Sequence, residues 1–252
     1  MMELIANTGT VPMLILCLAA FLIGINKTAV PGIGLLPVIL LASTFETRLS
    51  TGLQLGMLAL ADIMAVIWYH RHADWKILLR LLPWALAGLA VGSLILRFIP
   101  LDDTRTMNII IGVIVIALAV FSFIRKRLDP DSIPSGTKAA ACYGILLGTT
   151  TQLANAAGPV SALYLLAMKL PKEKYMGTGA WFFLIVNWIK VPIFAFEGRV
   201  TLESVKLDLL MLPIIILGAA AGILLLKKMP QKLFNDIVMG LAVIGALKLL
   251  FF

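Results

Sequence analysis

The chain is a succession of apolar runs cut by short polar connections, and this alternation limits the possible folds more than any other feature. Against the roughly 20 residues that a membrane-spanning helix needs, the runs number ten, five in each half. They are Val11–Ile25, Gly32–Phe45, Ser50–Tyr69, Ile77–Ile99 and Thr106–Ile124, then Thr137–Thr151, Ala156–Leu170, Tyr175–Phe196, Val205–Leu226 and Leu233–Phe252. The first two runs of each half are short and predict re-entrant or broken segments. With 61% hydrophobic and 13% charged residues, polar surface is too scarce to wrap a water-soluble core. The expectation is an all-α integral membrane protein, with the lipid bilayer as its first partner.

Charge and cysteine usage remove several other classes. The formal net charge of +8 comes from Lys and Arg clustered between apolar runs, a positive-inside pattern rather than a nucleic-acid surface. Cys17 and Cys142 sit inside apolar runs without paired spacing, which reads as packing and not as a disulfide or a zinc site. His70-Arg71-His72 has no Cys or carboxylate beside it and reads as a solvated connection, so neither a metal nor a cofactor is expected. Met1-Met2-Glu3 lacks a basic n-region, so the first run is read as retained rather than as a signal peptide.

The two halves repeat. Pro83-x4-Gly88-x3-Gly92-x7-Pro100 returns as Pro213-x4-Gly218-x3-Gly222-x7-Pro230, each on the fourth run of its half, which argues for an internal duplication. Residues 1–128 form the first repeat, 129–136 the linker and 137–252 the second. The glycine pairs are small-xxx-small patterns that let helix backbones approach closely. Of the 21 Lys and Arg, fourteen fall in, or just inside the runs bordering, the connections after runs one, three, five, seven and nine, which places that set in the cytoplasm and both termini outside. By this count the cationic connection at Pro230 is inside and the mixed one at Pro100 is outside, so the repeats are inverted.

Each half opens on a Gly- and Pro-rich break, Gly24–Pro37 in the first and Gly148–Pro159 in the second. Broken segments at corresponding places in two halves are the sequence mark of a transporter's binding site. These breaks, the Ser50-Thr51-Gly52 and Gly177-Thr178-Gly179 openings of the third runs, and the repeated fourth runs resemble the TauE/SafE family of sulfite and organosulfonate exporters. The resemblance covers almost the whole chain, although the usual run of adjacent glycines is thinned here to Gly32-Ile33-Gly34. It implies a secondary transporter of a small sulfur oxyanion, sulfite or an organosulfonate, in the cell membrane. A channel, or a permease for a non-sulfur anion, is the alternative reading, and a homodimer is compatible with either. A ring of like charges would mark a channel, whereas an internal two-fold repeat favours alternating access. An enzyme would need a nucleophile with a base, or a metal cluster, and no apolar run offers one.

An anion at the midplane must regain its lost hydration from donors. Helix N-termini near Gly32 and Ala156 are expected to supply backbone N–H groups, with Gly32, Gly34 and Gly158 allowing close approach. Candidate side-chain contacts are Asn26, Lys27 and Thr28 in the first break and Thr150, Thr151, Gln152 and Asn155 in the second. Gln54, Trp181 and Asn187 complete the expected lining. Lys27 could instead snorkel to the cytoplasmic mouth. Asp62 and Lys190 lie at nearly equivalent places in the two third runs and are expected to pair with each other, or Asp62 to carry a coupling proton.

Overall fold

In a computed structural model the described residues are 9–31, 33–98, 136–238 and 240–241, and they are helical without a strand among them. The helices are α1 (Thr10–Thr28), α2 (Leu35–Ala42), α3 (Thr47–Tyr69), α4 (Trp75–Ile95), α5 (Thr137–Ala154), α6 (Gly158–Ala167), α7 (Lys172–Phe196) and α8 (Leu202–Lys228). A further helical stretch begins at 231. Gly32, the run Thr106–Ile124, nearly all of the linker and the end of the last run lie outside the described residues.

The observed ends follow local chemistry. Asp74 caps α4 by accepting from the Ile77 N–H at 3.1 Å, and Thr201 with Ser204 forms a capping box at the start of α8. Asn155 adopts the left-handed conformation, φ 52°, which turns the Asn155 and Ala156 N–H groups back onto the carbonyls of Thr151 and Thr150 and stops α5.

Among the described residues five helices, α1, α3, α4, α7 and α8, are long and apolar enough to cross a membrane. At about 1.5 Å per residue, α2 and α6 reach only about 12 and 15 Å, half or less of a hydrocarbon core of about 30 Å. Neither is long enough to cross alone. Large apolar side chains such as Leu14, Leu79, Leu94, Leu217 and Leu224 point outward, as lipid-facing positions do.

The helices pair across the halves. α4 lies along α5, α8 along α1, and α3 packs on α7. Glycine makes the first two seams possible: a Cβ on Gly88 would fall 2.9 Å from the Gly148 Cα, and one on Gly24 would fall 2.6 Å from the Ala219 nitrogen. Gly92 sits on Gln152, and Gly222 on Ile25 and Thr28, in the same manner.

The connections collect at two ends. At one, Gly177 abuts His72, the Asp74 N–H donates to the Thr178 hydroxyl at 2.9 Å, and the Lys172 ammonium donates to the carbonyls of Leu226 and Met229. At the other, the backbone of Arg199 rests on Gly52. The connections following α3, α6 and α8, with Arg71, Lys169 and Lys232 in or beside them, therefore share one end.

Candidate functional site

Between α3 and α7, roofed by the two breaks, lies a cavity of about 60 Å³. The first break contributes Asn26, Lys27, Pro31 and Gly34, and α3 contributes Gln54 and Leu58. The second break contributes Thr151, Asn155 and Gly158, α6 adds Ser161, and α7 lines the far side from Tyr175 to Asn187. Nothing lies within 4 Å of the point where a Gly158 side chain would begin, so the start of α6 opens on free space. Pro159 has no N–H, which leaves Gly158 and Val160 as first-turn donors without an intrahelical acceptor.

Two buried cations stand in the cavity wall or just behind it. Lys27 is held by the Asp62 carboxylate at 2.6 Å, the other Asp62 oxygen accepts from the Asn187 amide at 2.6 Å, and the Lys27 ammonium lies 4.2 Å from the Phe183 ring centroid. Lys190, fully buried, is surrounded differently. Its ammonium donates to the Thr151 carbonyl at 2.7 Å, to the Thr151 hydroxyl at 3.0 Å and to the Asn155 side-chain oxygen at 2.5 Å. All three acceptors are neutral, and among the described residues no carboxylate stands at salt-bridge distance from it. Asn155 then donates to the Thr51 carbonyl at 3.0 Å and to Gln54 at 3.4 Å, tying the second break to α3.

The expected pairing of Asp62 with Lys190 is therefore corrected. Each of these residues sits beside the break of its own half, so Asp62 meets Lys27 and Lys190 meets Thr151 and Asn155. Lys27 does not snorkel; it is 8% exposed and is consumed by the carboxylate.

Of the predicted contacts, Asn26, Lys27, Gly34, Gln54, Thr151, Asn155, Gly158 and Asn187 come together around the cavity. Thr28, Thr150, Gln152 and Trp181 do not. The Thr28 hydroxyl serves the carbonyls of Gly24 and Ala219, and that of Thr150 serves Leu147, which is ordinary repair of helix carbonyls. Gln152 turns to Glu197 at 3.3 Å, while Trp181 stacks on Trp75 and donates to the His70 carbonyl at the basic end. The N-termini expected near Gly32 and Ala156 begin at Leu35 and Gly158.

Sequence reasoning missed Ser161, Tyr175, Met176 and Phe183 in the lining. Ser161 was within reach, because it follows Gly158 by three residues and so shares its helix face. The Tyr175 hydroxyl is buried with no hydrogen-bond partner among the described residues, a donor on the cavity wall that no motif announces.

No curated protein and no solved structure matches the chain. A family model described as sulfite exporter TauE/SafE matches residues 16–249, nearly the whole length, and the chain belongs to that family of membrane transporters.

Proposed function

We propose that the chain is a secondary transporter that exports sulfite, an organosulfonate or a related small sulfur oxyanion across the cell membrane by alternating access, holding the anion in the cavity between the two breaks. Lys190 is the observation that carries this reading. Lys27 and Asp62 form a salt bridge, whereas Lys190 is buried behind the cavity on neutral acceptors, with no carboxylate among the described residues at salt-bridge distance from it. A buried charge of this kind is costly until a counter-ion arrives. Thr151 and Asn155 touch both Lys190 and the cavity, so an anion bound there would lie one residue from the cation. The Gly158 and Val160 N–H groups, the Tyr175 hydroxyl and the Asn26 amide are the further donors this reading assigns to its oxygens.

Alternating access is supported by the crossed seams. The fourth helix of each half packs on the first helix of the other through matched glycines, Gly88 on Gly148 and Gly218 on Gly24, as an inverted duplication requires. The gathering of basic connections at one end supports a cytoplasmic assignment of that end, with both termini outside.

A thermal-shift screen of purified protein tests the assignment, with sulfite, thiosulfate, sulfoacetate and taurine against acetate. Binding follows mass action, so a sulfur anion at 100 times its Kd should add about 2.7 kcal/mol to the wild type. Lys190→Gln should lose that response. An equal response to acetate would sink the substrate class.

A further inference from the structure

A second buried acid lies away from the cavity, in the contact between α3 and α8, and the anion site makes no use of it. Asp208, on α8, is 3% exposed, and both of its carboxyl oxygens are buried without a hydrogen-bond partner among the described residues. Its surroundings are apolar: Leu16, Ile23, Leu53, Met57, Met211 and Ile215 belong to the cluster that joins α1, α3 and α8. We propose that Asp208 is a proton-binding site that holds its proton while α8 is closed against α3 and gives it up when the two helices part.

The site is built rather than accidental. The Asp208 carboxyl fills the place that a side chain at Gly56 would occupy, so the glycine on α3 makes room for it. In the first half the residue five before Pro83 is Leu78, fully buried, where the residue five before Pro213 is Asp208. The fold accepts a hydrocarbon at that place, and a carboxyl there is not a structural need.

No charge faces it. From α3 it meets Gly56, with Gly52 one turn away under the Arg199 carbonyl, and the Arg199 guanidinium is engaged by Glu197 at 2.7 Å. On α1 the titratable group packed against the same cluster is Cys17, while Glu203 and Lys206 of α8 are exposed. Asp62 is committed to Lys27 and Asn187. An ionised carboxylate without donors in such a setting is strongly disfavoured, whereas the neutral acid fits. Asp208 is about 9 Å from the start of its helix, at a rise of 1.5 Å per residue, so parting of α8 from α3 would bring water from that end. The exchange is a simple one: the carboxylate takes a proton from hydronium on closing and returns it to water on opening. A carrier that opens and closes there would thus bind and release one proton with each cycle, a consequence that rests on the transporter reading.

Infrared spectroscopy of the protein in lipid at neutral pH tests the site without any substrate, so its outcome is separable from that reading. Wild type and Asp62→Asn should show the carbonyl band of a protonated carboxylic acid, and Asp208→Asn should lose it. Asp208→Leu, which copies Leu78, serves as a second variant and should lose it too. No acid band in the wild type, as a carboxylate holding a sodium ion would give, overturns the proposal. So does a band of full strength in both Asp208 variants.

Discussion

Asn155 does three things at once: it closes α5 at positive φ, accepts from Lys190 and donates to Thr51 and Gln54. Asn155→Gly keeps the left-handed backbone, which glycine adopts freely, and removes only the amide. If that amide orients the cation and contacts the anion, sulfite affinity in a titration should fall by about 1 to 3 kcal/mol, the usual loss for a hydrogen bond to a charged group. Unchanged affinity would return Asn155 to a purely structural role. The candidate residues were legible because polar groups in apolar runs are costly and need a reason. Their directions were not. Thr150, Thr151 and Gln152 are successive on a helix and point about 100° apart, so only Thr151 reaches the cavity while its neighbours serve Leu147 and Glu197. The Asp62 partner was illegible for a related reason, since counting positions along the third runs says nothing of which break each faces. Asp208 was hidden by the hydropathy of Leu207, Leu209 and Leu210 around it.

At the level of helices, the seams are the weak points. Gly88 and Gly148 let α4 and α5 approach until their backbones touch, and dispersion across such seams is what holds helices together in lipid. Gly88→Leu should therefore destabilise the protein by about 1 to 3 kcal/mol through overpacking, read as a fall in melting temperature in detergent. Gly136→Leu is the control, because nothing lies within 4 Å of that position. The repeated Pro/Gly spacing made these seams legible as packing, and the apolar runs located the helices to within a few residues. Their ends moved outward where Asp74 and Thr201 provide caps that hydropathy does not register. Partner choice was not legible: small residues state that a helix is approached closely, not by which one. The shortness of α2 and α6 was readable, because a run that breaks at Gly or Pro cannot reach across the bilayer.

Across the whole molecule the charges separate into layers. Basic connections lie at one end, a salt-bridged pair and a buried lysine on neutral acceptors flank the central cavity, and the acid of Asp208 sits in the apolar contact between α3 and α8. Only the first of these layers is visible in a count of Lys and Arg; the other two depend on which side chains the helices bring face to face. The central claim is that an anion binds between the breaks to compensate Lys190 and is carried across by exchange of access between two sides. Exchange in liposomes is its most direct measure: vesicles loaded with unlabelled sulfite are given a trace of labelled sulfite outside, beside vesicles loaded with acetate. Uptake of label should be markedly faster into the sulfite-loaded vesicles and should vanish with Lys190→Gln. Uptake indifferent to the internal anion, or undiminished in Lys190→Gln, would contradict the account.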